Sequence, residues 1–351
     1  MRLCMCIMRS KCWGGVFDEP IKPVEPPVEK PEPPVDPPVE EPEEPTTPPS
    51  TEDLLTIKIE DEIMAVVGTN TWNAIAYGNG KYVAVGANGY VTTSTDGTNW
   101  TTPKQVCSYS LNGVTFANGK FVACGAYSYI VVSTDGINWT THKVEESANY
   151  LWVSVKYCHG KFIAVGSSGR ISTSTDGVSW TKSVWYDSGV QVNCVVYGNG
   201  QYIAVDNRGS YGISTDGISW TKRTFSKYLY SSSIVYANGV FVLAGYSSSI
   251  GYILTSIDGD TWNITYENDY SKTDPNQKPV TCDVMLDVAH DGMQFIVVGY
   301  HAGYIDRTGQ FKIDLATLSK DGNNWSFPVP IQDGFGNNMN LTKFKFVIMG
   351  N

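Results

Sequence analysis

The sequence predicts an all-β fold: a single β-propeller of four-stranded antiparallel blades, with seven blades counting a composite closing one (six as the alternative). Three observations predict it. The pattern S-x-D-G-x-x-W occurs six times, at Asp96/Trp100, Asp135/Trp139, Asp176/Trp180, Asp216/Trp220, Asp258/Trp262 and Asp321/Trp325. The Asp-to-Asp steps are 39, 41, 40, 42 and 63 residues, and a period near 40 with turn chemistry at fixed phase means repeated supersecondary units. Second, nearly unbroken apolar runs precede each Asp: Tyr82–Val85, Phe121–Cys124, Phe162–Val165, Tyr202–Val205, Phe241–Ala244 and Phe295–Val298. Such runs imply strands buried on both faces. Third, helical periodicity is absent from 71 to 330.

Each unit resolves into elements in order. A short apolar strand ends in an aromatic at Tyr77, Phe116, Tyr157, Tyr197 or Tyr236, or in His290. A turn such as Gly78-Asn79-Gly80 follows, favouring positive φ. The apolar run is the second strand, and a Ser/Thr/Val-rich third strand leads into the S-x-D-G turn. The Trp is expected to open the fourth strand, as in Trp100-Thr101-Thr102. Four strands in about 40 residues is the size of one blade.

Within the repeated box, the Asp carboxylate can accept N–H groups of its own turn. The Gly supplies a positive φ. The Trp is large enough to fill the space between blades, and burial there is expected for all six. These six boxes over 71–330 resemble BNR/Asp-box repeats, found in sialidases and some other glycoside hydrolases, in sortilin-type receptors and in photosystem II assembly factors. The resemblance implies that Asp96, Asp135, Asp176, Asp216, Asp258 and Asp321, with their tryptophans, are structural and distant from any ligand. It implies a fold far more than an activity.

Three regions are expected: a head (1–17), an acidic Pro-rich linker (18–53) and the propeller (54–351). The linker holds 12 Asp/Glu against 2 Lys, a net −10 that equals the formal charge of the whole chain. The folded part is nearly neutral, and no basic patch argues for nucleic acid. From Pro20 to Pro49 there are 13 prolines in 30 residues, which opposes helix, sheet and collapse. A disordered, semi-rigid spacer of roughly 90 Å is expected, at about 3.1 Å per residue. The head's apolar stretch, Leu3–Met8, is too short for a signal-peptide core, and no transmembrane segment is read elsewhere. Cysteines 107, 124, 158, 194 and 282 fall at different phases without a CxxC pair, which reads as free, mostly buried thiols suited to assembly in a reducing cytoplasm. Near the C-terminus, Lys345–Gly350 resembles the second strand of a blade. The closing blade is therefore expected to combine inner strands from the C-terminus with outer strands from 54–68, hiding sheet edges.

No catalytic constellation emerges. The sialidase resemblance implies several arginines on a substrate carboxylate and a Tyr nucleophile backed by Glu. The propeller region has only Arg170, Arg208, Arg223 and Arg307, and lacks the Arg-Ile-Pro signature. Spacing pairs no carboxylates, and the four histidines show no metal spacing, so no metal and no cofactor are expected.

A binding role has better support. In a four-stranded meander, the turn between strands two and three lies on the face opposite the boxes. There the units diverge: Ala87–Tyr90, Ala126–Tyr129, Ser167–Arg170, Asp206–Gly209, Tyr246–Ser249 and Tyr300–Gly303. Candidate ligand residues are Arg170, Arg208, Asp206, Tyr127, Tyr129, Tyr246, Tyr300 and His301, with Trp185 and Tyr186 in a loop on the same face. Asp206 stands where the other five units have Gly, and an ion pair with Arg170 is the plain alternative. Tyr, Ser and Asn with a few Arg make an adaptable recognition surface. The expected function is a non-catalytic propeller binding a cell-surface glycan or protein receptor. It would act as a surface adhesin or phage tail-type component used in host-cell attachment, in an extracellular or virion-surface setting with multivalent display. A sialidase-like glycoside hydrolase and a protein assembly factor are the alternatives.

Overall fold

The structure is a computed structural model that describes residues 70–97, 99–144, 149–181, 183–184, 189–248, 250–267, 284–290, 292–305, 309–326 and 329–330. The expectations for the head, the linker, the composite closing blade and Trp185–Tyr186 concern residues outside this set.

The described chain forms six four-stranded antiparallel sheets, each a meander in sequence order. The first comprises β1 (Trp72–Gly78), β2 (Lys81–Gly86), β3 (Tyr90–Ser94) and β4 (Lys104–Gln105). The second comprises β5 (Leu111–Ala117), β6 (Lys120–Gly125), β7 (Tyr129–Ser133) and β8 (Thr140–Lys143). The third has β9 (Trp152–Cys158), β10 (Lys161–Gly166), β11 (Arg170–Ser174) and β12 (Ser183–Val184). The fourth has β13 (Val192–Gly198), β14 (Gln201–Asp206), β15 (Ser210–Ser214) and β16 (Thr221–Thr224). The fifth has β17 (Tyr230–Ala237), β18 (Val240–Ser247), β19 (Ile250–Ser256) and β20 (Asn263–Glu267). The sixth has β21 (Val284–His290), β22 (Phe295–Ile305), β23 (Gly309–Ser319) and β24 (Val329–Pro330).

First strands of successive sheets pack on one another in the series β1, β5, β9, β13, β17, β21. The apolar second strands explain why: alternate residues of one strand serve two different interfaces. Phe121 and Ala123 pack toward the first sheet with Val83 and Val85. Their neighbours Val122 and Cys124 pack toward the third sheet with Phe162 and Ala164. The predicted burial on both faces is thus met by sheets stacked in sequence, which defines a β-propeller.

Two features fix the spacing between sheets. Every first strand carries a bulge at the same place, leaving Asn73, Asn112, Val153, Asn193, Ser232 or Leu286 as the extra residue. The bulge frees that side chain from the ladder. Where it is Asn, the amide donates to the first strand of the next sheet: Asn73 to the Leu111 carbonyl, Asn112 to Trp152 and Asn193 to Ser231, at 2.7–2.9 Å. At the outset of the second strands, Lys81, Lys120 and Lys161 donate through Nζ to the carbonyls of Asp135, Asp176 and Asp216 in the following sheet. Gln201 donates to the Asp258 carbonyl in the same way.

The six S-x-D-G turns are nearly superimposable in chemistry. The Ser hydroxyl donates to the Asp carboxylate at 2.9–3.0 Å. The same oxygen accepts the Gly N–H at 2.8 Å. The carboxylate accepts the N–H three residues on. The glycines have φ between 74° and 80°. At Gly136 a Cβ would come 2.8 Å from Val83 of the preceding sheet, so the turn lies close against its neighbour.

The six tryptophans differ from expectation in two respects. Trp139, Trp180, Trp220, Trp262 and Trp325 each pack against a cluster shared by two sheets, but all are half-buried rather than enclosed. Trp100, in the first sheet, is half-buried beside Tyr82. All six also precede the fourth strand rather than open it, by four residues at Lys104 and Val329, by three at Ser183 and by a single one at Thr140, Thr221 and Asn263. For four of them the reason is the turn itself. Trp100, Trp139, Trp180 and Trp325 donate their indole N–H to the turn's own Gly carbonyl at 2.8–3.1 Å, which holds the residue within the turn.

Trp220 and Trp262 are held differently: packing of the ring sets their place. Trp220 lies against the cluster that joins Ile163 and Val165 of the third sheet to Tyr202 and Ala204 of the fourth. Trp262 meets Phe225 and Tyr211 edge-on, with centroids 5.5 and 5.8 Å apart. Each ring is thus covered in part, its Nε1 included. The flanking residues Ser219, Thr221, Thr261 and Asn263 are exposed, so the rest of each ring stays at the rim.

Candidate functional site

In each meander, one end carries the first hairpin turn and the S-x-D-G turn, and the other carries the turn between strands two and three. On this second end the first three units share one construction. Ala87, Ala126 and Ser167 donate their N–H to Thr71, Ser110 and Leu151 at the entrance of the same unit. The next residue is left-handed: Asn88 (φ 55°), Tyr127 (φ 57°) and Ser168 (φ 56°). Asn takes that conformation readily, whereas for Tyr it costs about 1–2 kcal/mol.

The second unit departs further. Where the first and third have Gly89 and Gly169, it has Ser128, fully buried and also left-handed (φ 65°). Ser128 donates its N–H to the Tyr150 carbonyl at 2.7 Å and accepts the Tyr150 N–H on its hydroxyl at 3.0 Å. Gly169 N–H reaches the Val190 carbonyl of the fourth unit in the same way at 2.8 Å, so the substitution adds the hydroxyl bond to a link the third unit also makes. Tyr109, also at this end, stacks on Tyr129 with centroids 4.7 Å apart and planes 12° apart. Tyr127 also lies against Tyr109, again at 4.7 Å, with planes 45° apart. Tyr127 is 50 % exposed. Lys143 Nζ stands 5.8 Å from the Tyr129 ring.

Arg170 opens β11, and its guanidinium carbon lies 4.1 Å from the Tyr150 ring centroid while an Nη donates to the Tyr150 hydroxyl. Its Nε is buried without a hydrogen-bond partner. Among the described residues no carboxylate pairs with it, so the alternative of an ion pair with Asp206 is not realised. Asp206 is 0 % exposed, and its Oδ1 accepts the N–H groups of Arg208 (2.8 Å) and Ser210 (2.9 Å). It organises its own turn, beyond the reach of a ligand on the surface. Glycine stands at that point elsewhere because a Cβ would collide: Gly125 would meet the Ser110 carbonyl at 2.0 Å. Arg208 itself is exposed.

The remaining candidates are dispersed. Tyr246 lies in β18 and stacks on Tyr230, centroids 4.9 Å apart. Tyr300 and His301 were expected in a turn, but β22 runs on through them, pairing Tyr300 with Asp314 and His301 with Ile313. The sixth unit thus projects a long hairpin. Tyr109 and Tyr150 were missed by sequence reasoning.

The described residues offer one Tyr–Glu pair of the kind the sialidase resemblance implied: the Tyr252 hydroxyl donates to Glu267 at 3.0 Å, with Lys227 Nζ 2.9 Å from the same oxygen. Burial, then the bond to Glu267, raises the Tyr252 hydroxyl above the usual phenol range, which opposes a phenolate nucleophile. None of the four described cysteines is joined in a disulfide. Burial pushes Cys158 up to about 12, leaving it unreactive. No helix among the described residues is long and apolar enough to cross a membrane.

The fold and this two-faced arrangement place the chain among the β-propellers. No family model matches it, and no curated protein does either. Among solved structures it is similar to YCF48 bound to D1 peptide, with a TM-score of 0.53 and 18 % identity over 74 % of this chain and 81 % of that one. It also matches U3-55K at a TM-score of 0.49 and 7 % identity, over 64 % of this chain and 72 % of that one.

Proposed function

We propose that this chain is a non-catalytic recognition propeller that presents the face opposite its S-x-D-G turns to a cell-surface glycan or protein receptor, in the manner of an adhesin or tail-type attachment component. One observation carries the reading: the two faces differ in kind. The S-x-D-G face repeats a single hydrogen-bonded turn six times, while the other face varies from unit to unit and bears Tyr127, Tyr109, Tyr129, Arg170 and Arg208. Uniform turns serve the fold, whereas divergent ones with stiff aromatics suit recognition. The test is binding of the full chain to an oligosaccharide array and a peptide array, repeated with the variant Tyr127→Asn/Arg170→Ala/Arg208→Ala. Loss of the bound spots at unchanged Tm supports the reading, and full binding by the folded variant removes it. Turnover of a bound oligosaccharide would restore the glycoside hydrolase alternative.

A protein assembly factor is the second reading, and the observation favouring it is the likeness to a propeller solved with a peptide. Transferred to this chain, it makes the same face a clasp for a polypeptide, as in an assembly factor. The peptide array distinguishes the two.

A composite seventh blade closes the ring in this reading. β21 and β1 show no packing comparable to that between successive first strands. Yet Tyr82 and Ala84, which alternate with Val83 and Val85, are buried, and so are Ile296 and Val298, which alternate with Phe295 and Val297. None of these four belongs to a described inter-sheet cluster. Segments 54–68 and 335–351 supply strands to cover them.

A further inference from the structure

We infer that the Tyr127–Tyr109–Tyr129 stack is a saccharide-stacking platform that takes the C–H face of a hexopyranose ring on Tyr127, with the Arg170 guanidinium of the next unit donating to its hydroxyls. The inference rests on the reading of this face as a recognition surface.

Tyr127 is costly where it stands and gives the fold little in return. The matching positions of the first and third units hold Asn88 and Ser168, smaller polar residues in the same left-handed conformation. The Tyr127 ring is half exposed and enters none of the described inter-sheet clusters. Strained residues that the surrounding structure holds in place concentrate at binding sites.

The ring is also held ready. Tyr109 packs against it at 45°, Tyr129 stacks on Tyr109, and buried Ser128 ties the backbone to the third unit. Little side-chain freedom remains to be lost on binding. An aromatic face is electron-rich and attracts the weakly positive axial hydrogens of a pyranose.

What surrounds the ring favours a sugar over a peptide. A peptide that adds as a strand needs unused backbone donors and acceptors. Here Ala126 N–H is taken by Ser110 and Ser128 N–H by Tyr150. The turn therefore offers ring faces, phenolic hydroxyls and a planar cation, Arg170, held against Tyr150. That combination matches a ring with one apolar face and a rim of hydroxyls.

The test uses the full chain on immobilised oligosaccharides ending in glucose, galactose, mannose or N-acetylhexosamine, with a peptide array alongside. Wild type should bind at least one sugar terminus. Tyr127→Asn and Tyr127→Gly should lose about tenfold or more, and Tyr127→Phe, which keeps the ring face, should bind within a few fold of wild type. The Tm of the Asn and Gly variants should be unchanged or higher, because both residues accept positive φ. Sugar binding retained by folded Tyr127→Asn overturns the platform while leaving the recognition reading intact. Tyr127-dependent binding of peptides alone overturns the saccharide assignment. A Tm falling together with binding in the Gly variant makes the ring structural and overturns the platform. Binding to neither array removes the recognition reading and this inference with it.

Discussion

The S-x-D-G carboxylates show how much one residue can organise. Asp258 is held down to about 2 by N–H groups from Thr261 and Asp260. Asp135, Asp176 and Asp216 lie well below the usual carboxylate range for the same reason, their turn N–H groups. An unfolded Asp titrates near 3.9. Each depressed carboxylate therefore adds stability that is complete above that value and is lost as the pH falls through the folded one. Thermal melts should show a Tm that is flat near neutrality and falls steeply between about pH 4 and pH 2. Because these groups face water, each contribution is smaller than its shift alone suggests. Asp176→Ala should cost about 1–3 kcal/mol by chemical denaturation, through the lost turn hydrogen bonds. Ligand binding by the folded fraction should remain intact. These roles were legible from the sequence because Ser, Asp, Gly and Trp recur at fixed phase. The two ways of seating the Trp were not: Trp220 and Trp262 share the motif of the other four, and the packing around each ring, which the motif does not record, distinguishes them. Asp206 was legible only as an exception. Its departure from Gly was visible, but whether the carboxylate turned outward or into its own backbone depended on a local path that one sequence does not reveal.

At the scale of the element, the strand count per unit, the hairpin turns and the buried second strands all followed from periodicity. The bulges did not, because an extra residue in an apolar strand leaves composition unchanged. Nor did the sixth unit's long hairpin: alignment with the other units placed a turn at Tyr300–Gly303, while an unbroken register kept the strands paired as far as Ile305 with Gly309. The excess in the 63-residue step was the available signal. Tyr109 escaped because it precedes its unit's first strand, eighteen positions from Tyr127 in sequence. The entrance of a unit and its second-to-third turn share one end of the sheet, so aromatics on both should be read as neighbours. The bulge asparagines can be tested directly. Asn112→Ala removes one inter-sheet hydrogen bond and should cost about 1 kcal/mol in urea unfolding. Val153→Ala, at the equivalent bulge without an amide, should leave that bond unaffected. Gly125→Ala should be worse than either, because its Cβ would stand 2.0 Å from the Ser110 carbonyl.

For the whole molecule, the sequence conveyed a ring of repeats more readily than its number or its closure. Blade number and closure turn on contacts between residues far apart in sequence, which local pattern does not encode. Deleting 18–53 should leave the Tm within error, since an acidic proline run has little apolar surface to bury. Extending the deletion through residue 68 should lower it by several degrees, if that segment covers Tyr82, Ala84, Ile296 and Val298. An unchanged Tm after the longer deletion would mean that other residues bury those side chains.

The lysine and glutamine links between neighbouring sheets carry a consequence for descent. From Lys81 through Gln201, the same donor position addresses the same carbonyl in the following unit. Each of these four joints is therefore a standard coupling, while the fifth unit has Val240 at the donor position and makes its joint without that bond. A duplicated or excised unit would meet neighbours already cut to receive it. A lineage could change the circumference of such a wheel by recombination between copies, leaving the rim turns free to diversify spoke by spoke.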